Sequence, residues 1–132
     1  MFIINEGELG AKAQQVIVKT WGKEFVLVNN DKYCCKLLKI MPGFQASIHC
    51  HSKKDETFIG VTGNCVLTLH KENKDLDKVH SIHPGMSVRI SPKTFHSFMS
   101  MNEAWIMEIS TPHSDKDVTR IQESRKIEYT GE

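Results

Sequence analysis

Three residues within one short stretch carry the most chemistry in this chain: His49 and His51, two positions apart, and Glu56 just after them. On a β-strand, residues two apart share a face, so both imidazoles project together while Cys50 points away. Ser52 to Asp55 form a polar connection. Glu56 then opens the next strand and can set a carboxylate beside both rings. Two histidines and one carboxylate on a rigid wall make a facial site for one divalent metal ion, Mn, Fe, Zn, Co or Ni. Burying these groups together without an ion would cost roughly 1–3 kcal/mol for each one left unpaired, so the metal reading outweighs a purely structural one. A fourth ligand has to come from another strand. His96 is the candidate, because it begins an alternating run in which His96, Phe98 and Ser100 share a face. His70, His80, His83 and His113 are read as surface or hydrogen-bonded residues.

A second chemical signal is an acid among apolar neighbours. In Ala104 to Ser110, Trp105, Met107 and Ile109 face one way, and Ala104, Ile106, Glu108 and Ser110 the other. Glu108 is therefore expected inside, either as a general base or as the partner of a lining lysine or arginine. Lys54, on the ligand loop, either binds a substrate hydroxyl or phosphate or is solvated. Trp21, in a Trp-Gly turn, is read as packing rather than as a sugar platform.

The elements that must position these groups are short β-rich runs. They lie near Gln15–Val18, Glu24–Asn29, Tyr33–Ile40, Phe44–His51, Glu56–Thr62, Cys65–His70, Met86–Ile90, Phe95–Met101 and Ala104–Ser110. Turn residues separate them, including Pro42-Gly43, Gly63-Asn64 and His83-Pro84-Gly85. This is the pattern of an all-β sandwich or barrel. Gly63-Asn64 reads as a tight hairpin, and Lys71 to His80 as a solvated charged loop. No helical period appears before Ser114, after which a short helix or an extended strap would both fit.

Composition narrows the function classes. With 132 residues, 39% hydrophobic and 25% charged, the chain fits one domain with a full core. The balance of 17 Lys+Arg against 16 Asp+Glu argues against nucleic acid as a partner. No apolar run reaches the ~20 residues of a membrane span. The first ten residues lack the features of a signal peptide, so a cytoplasmic location is expected. Cys34, Cys35, Cys50 and Cys65 are expected to be reduced thiols.

At the histidine motif the sequence resembles the cupin superfamily. The first motif of that superfamily, Gly-x5-His-x-His-x(3,4)-Glu-x6-Gly, is met in full by Gly43, His49, His51, Glu56 and Gly63. The second is met in part: Gly85 and His96 match, while Ser91, Lys93 and Ser100 stand where Pro, Gly and Asn are usual. The resemblance implies a double-stranded β-helix, the jelly-roll cupin barrel. Its expected extents are an N-terminal edge segment 1–20, a barrel 21–112 and a C-terminal strap 113–132. It also implies a metal held by His49, His51, Glu56 and His96. A homodimer is expected as well, with Phe2 to Ile4 covering an open sheet edge.

A further resemblance, from about Thr20 to Ile121, is to D-lyxose isomerase and to the cupin domain of type II mannose-6-phosphate isomerases. It rests on Trp21-Gly22-Lys23-Glu24, Tyr33 to Leu38, Lys54 beside the ligands, and the run Glu108 to His113 with Asp117, Val118 and Arg120. It implies aldose–ketose isomerisation of a small sugar or sugar phosphate through a metal-stabilised enediolate. Glu108 and Lys54 would be catalytic, and Lys54, Asp117 and Arg120 would bind substrate. Asp117 and Arg120 can instead form an internal pair that straps the tail over the barrel. Two other functions stay open: a non-catalytic sugar-binding cupin and a metal-dependent dioxygenase with three His and one Glu.

Overall fold

The computed structural model describes residues 4–127. It opens with a helix that the sequence reading did not anticipate, α1 (Glu6–Lys12). Seven residues are too few to display a helical period, so the signal is at the ends. Asn5 caps the helix by accepting from the Glu8 amide at 3.0 Å, Glu6 and Glu8 occupy the first turn, and Lys12 lies in the last.

Thirteen strands follow. They are β1 (Gln15–Lys19), β2 (Gly22–Asn29), β3 (Cys34–Ile40), β4 (Phe44–Gln45), β5 (Ile48–Cys50), β6 (Glu56–Thr62) and β7 (Cys65–His70). Then come β8 (Leu76–Ile82), β9 (Ser87–Ile90), β10 (Phe95–Ser100), β11 (Ala104–Ser110), β12 (Thr119–Gln122) and β13 (Arg125–Lys126). They build two walls. One is a six-stranded sheet in the order β1-β2-β3-β11-β6-β9, the other a five-stranded sheet in the order β12-β5-β10-β7-β8. β13 pairs with β4 as a short ribbon. All the named strand pairs are antiparallel. This is a jelly-roll β barrel, the architecture that the histidine motif implies.

Alternation places the side chains. Along β11, Ala104, Ile106, Glu108 and Ser110 are buried inside, whereas Ile109 is exposed outside. Inward residues of both walls form the main core, with Leu38, Ile40, Phe58, Leu67, Ile82, Phe98 and Ile106 among them. Trp21 belongs to it and meets Phe98 edge-on, with centroids 4.8 Å apart. It is therefore a packing residue at the cavity wall. A second cluster lies on the outer face of the six-stranded sheet, where Ile4, Leu9 and Ala13 cover Phe25, Leu37 and Trp105. Of the expected edge cover Phe2 to Ile4, residues 2 and 3 lie outside the described range, and Ile4 packs into this cluster.

Two expectations need correction, and one open alternative is decided. Gly63-Asn64 does not close a hairpin, because β6 and β7 belong to different sheets; the turn carries the chain from one wall to the other. Gly63 has φ +70°, and a Cβ there would lie 2.5 Å from the Glu103 carbonyl oxygen, so the motif glycine answers a close approach of backbone. The charged segment Lys71 to His80 is only partly a loop. From Leu76 onward it is β8, paired with β7 from Cys65↔Ile82 to His70↔Leu76. Both faces of β8 are largely solvated, which hides the alternation that marks a strand. The tail is not helical: β12 and β13 make it an extended strap along β5 and β4.

Candidate metal centre

The two walls bring different chemistry to one space. The imidazoles come from the five-stranded sheet. His49 lies on β5, His51 just beyond it, and His96 directly opposite His49 on β10. Ring centroids are 4.5 Å apart for His49–His96, 5.1 Å for His49–His51 and 6.0 Å for His51–His96. One ring nitrogen from each lies within 4.8 Å of the other two.

Main-chain carbonyls fix the protons on these rings. His49 Nδ1 lies 3.1 Å from the Ser47 carbonyl, His51 Nδ1 2.7 Å from that of Asp117, and His96 Nδ1 2.9 Å from that of Thr94. A carbonyl only accepts, so each Nδ1 carries the hydrogen and each Nε2 presents a lone pair. Such outer partners orient ligand imidazoles in metal sites. Burial, and then the neighbouring His96 and His51 rings, hold His49 well below the usual imidazole range. Burial also lowers His51, against the pull of Glu56. Both are neutral, the form that binds metal.

The carboxylates come from the six-stranded sheet. Glu56, the first residue of β6, has Oε1 2.7 Å from His96 Nε2 and Oε2 3.8 Å from His51 Nε2. Burial raises its pKa, but His96, Lys54 and His51 outweigh burial and leave it a carboxylate. Both Glu56 oxygens and His96 Nε2 are buried without a hydrogen bond, despite the short approach between them. Glu56 Oε1 and His96 Nε2, 2.7 Å apart with no hydrogen-bond partner and beside two more imidazole nitrogens, are what a divalent cation would satisfy. The residues present fit one ion, with His49, His51 and His96 as the cluster and Glu56 against it.

Glu108 enters from β11 on the same wall as Glu56, and Lys54 stands between them. Lys54 Nζ is 2.8 Å from Glu108 Oε2 and 3.3 Å from Glu56 Oε2. Burial favours the neutral amine, yet Glu108 and Glu56 together raise the Lys54 pKa above its ordinary value. Lys54 is thus buried and paired, not solvated. Lys36, on β3 opposite Glu108, is buried with Glu24 at 3.1 Å.

Two residues missed by sequence reasoning belong here. Lys36 left a trace, a lysine at an inward position of an apolar strand, the same signal that exposed Glu108. His113 left none. It is the hydrogen-bonded rather than the surface alternative: Nδ1 is 3.2 Å from Lys54 Nζ and Nε2 2.9 Å from Asp115, and its ring lines the cavity. The cavity has about 500 Å³ and runs from His49, His51 and Lys54 past Glu108 to Arg120 and Glu123 at the strap. That lies within the ~300–1,000 Å³ typical of small-molecule sites.

Asp117 and Arg120 separate in role. Among the described residues they form no ion pair. Arg120 lines the cavity, whereas the Asp117 carboxylate accepts from the ligand loop: Ser52 N at 2.8 Å, Lys54 N at 3.0 Å, Lys53 N at 3.2 Å, and the Ser52 hydroxyl. The Ser52 hydroxyl and these amides hold the Asp117 pKa down to about 2. Lys93 adopts φ +66°, at the position where the second motif has glycine, and its amide donates to the His51 carbonyl at 2.6 Å. The departure from the motif keeps the turn. Cys34, Cys35, Cys50 and Cys65 are free thiols.

Fold and site together define a cupin with a three-histidine cluster. The chain belongs to the family described as mannose-6-phosphate isomerase C-terminal, whose model matches residues 6–123. It is 28% identical over 113 residues to the D-lyxose/D-mannose isomerase of Thermosediminibacter oceani, covering 70% of this chain and 62% of the relative. It is also 23% identical over 116 residues to a mannose-1-phosphate guanylyltransferase of Sinorhizobium fredii, covering 85% of this chain and 22% of that protein. The chain thus spans less than two thirds of either relative. Similar folds include oxalate decarboxylase from Bacillus subtilis, with TM-score 0.70 and 14% identity over 81% of this chain and 30% of that one. Another is the capsular polysaccharide assembling protein CapF from Staphylococcus aureus, with TM-score 0.68 and 17% identity over 87% of this chain and 32% of that one. No helix among the described residues is long and apolar enough to cross a membrane.

Proposed function

We propose that this protein is a metal-dependent aldose–ketose isomerase acting on a small sugar or sugar phosphate. The observation that carries this reading is one cavity lined by His49 and His51 of the three-histidine cluster and by the Glu108–Lys54 pair. Kinship with an isomerase of lyxose and mannose supports it. An inward acid suits proton transfer, whereas an oxygenase favours an apolar lining and a purely binding cupin has no use for a base beside the metal.

His49, His51, His96 and Glu56 would hold the ion. Bound there, a divalent cation polarises a sugar carbonyl and stabilises the charge that develops on its oxygen. Glu108 takes the proton from the carbon beside the carbonyl and returns it to the neighbouring carbon. Lys54, 2.8 Å from the Glu108 carboxylate, holds it in place and has hydrogens to offer a sugar oxygen. Arg120 and His113 bound the mouth and orient the far end of the substrate. A homodimer fits this reading, since β1 is a sheet edge carrying the exposed Val16 and Val18.

The test is metal analysis of untagged protein, then exchange of the C2 proton of a panel of pentoses, hexoses and their phosphates with deuterated water. Exchange that needs the metal and Glu108 supports the reading. A loaded site with no exchange across the panel overturns it in favour of a binding role.

A further inference from the structure

The geometry points to Asp117 as a positioning residue that presets the metal centre from outside it; this rests on the metal reading above. Two separate sets of contacts meet at this residue. Its main-chain carbonyl accepts the His51 Nδ1 hydrogen at 2.7 Å, which fixes the ring and leaves Nε2 bare. Its carboxylate gathers the amides of Ser52, Lys53 and Lys54 and the Ser52 hydroxyl, all in the loop between the His51 and Glu56 ligands. Three consecutive amides pointing at one carboxylate give the loop a single shape. That shape delivers Lys54 inward to Glu108 and Glu56.

The arrangement is non-local. Asp117 and His51 are 66 residues apart in sequence, so the contact exists only when the strap lies along β5. The loop has other ties at the surface, the exposed Asp55–Arg89 ion pair and the mutual hydrogen bonds of Asp55 and Thr111. What Asp117 adds is orientation. The same strap carries His113, Asp115, Val118 and Arg120 into the cavity lining, so substrate contacts at the mouth and the His51 ligand are mounted on one segment. Docking of the strap and binding of the ion therefore favour each other, by equal free energies in both directions.

The test uses the full chain and two readouts. Asp117→Asn keeps the size of the side chain but turns an amide NH2 toward amide hydrogens that need an acceptor. Mn²⁺ or Zn²⁺ affinity, measured by competition with a chelator, should fall about 10–100-fold, the usual cost of losing an outer partner of a ligand. Nitrogen-15 spectra of the metal-free protein should show the slowly exchanging His51 Nδ1 hydrogen in the wild type and its loss in Asp117→Asn. Arg89→Ala cuts the neighbouring exposed ion pair and should move neither readout. Wild-type affinity in Asp117→Asn, or a His51 Nδ1 signal that persists there, overturns the proposal. A wild type that binds no ion refutes the metal reading instead, and the His51 signal then decides the positioning role alone.

Discussion

The two walls of the barrel hold their functional groups by different means. On the five-stranded wall, each imidazole is oriented by a main-chain carbonyl, from Ser47, Asp117 or Thr94. On the six-stranded wall, Glu56 and Glu108 are held by a side chain, Lys54, itself supplied by the connecting loop. A carbonyl partner survives substitution of its own side chain and is lost only if the segment that carries it shifts, whereas a lysine partner can be removed directly. The histidine wall is thus fixed by the fold, and the carboxylate wall depends on one buried cation whose loss leaves two charges uncompensated.

The comparison can be broken at either wall. The largest effect is expected from His51→Ala, which should lose metal and any isomerase activity together while the barrel stays folded, as read by metal content and circular dichroism. Glu108→Gln should keep full metal content and substrate affinity but lower turnover by ~10²–10⁴-fold, the usual share of a positioned base, in a steady-state assay.

Lys54→Met attacks the carboxylate wall alone. Removing one partner from a buried ion pair costs about 3–5 kcal/mol, to be read by denaturant unfolding at neutral pH. The deficit should shrink on acidification, because a carboxyl in its neutral form needs no buried cation beside it. Lys54→Met with Glu108→Gln should recover part of it. An undiminished deficit at low pH would show that Lys54 acts by packing.

The smallest effect sharpens the histidine wall. His49 and His51 titrate below the ordinary 6.5 in the fold, so the unfolded chain takes up protons first as pH falls. The contribution of these two residues to metal-free stability is full above about pH 6.5 and is lost progressively below it. Thermal unfolding across that range checks the sign; a shallower fall between pH 6.5 and 5 in His49→Gln than in the wild type would isolate the His49 share.

Legibility followed the same division. That His49 and His51 project together was legible because residues two apart on a strand share a face; Glu56 and His96, on other strands, were legible through the motif resemblance. Glu108 was legible as an acid in an apolar alternation, and Lys36 by the same logic, though it was passed over. His113 and the true partners of Asp117 were not legible. Their contacts join the strap to the ligand loop across about half of the chain, and no local period encodes such a meeting. The helix α1 escaped because seven residues between an asparagine cap and a short turn make no repeat. β8 escaped because an edge strand solvated on both faces has no apolar side to alternate.

The strand order also sets a sequence of events in time. Lys54 meets Glu108 across 54 residues, and His49 meets His96 only when β5 and β10 lie side by side. Topologies dominated by such distant pairings fold on the ms–s scale, because loop closure precedes the reward of contact. The metal-binding constellation is complete only after both walls have closed, so an ion finds its full ligand set late. It should therefore leave the refolding rate nearly unchanged and slow unfolding instead, acting as a lock on the finished barrel rather than as a nucleus for it. Stopped-flow refolding and unfolding with and without Mn²⁺ would separate the two limbs, and an ion that accelerates refolding would place the histidine wall in the folding nucleus.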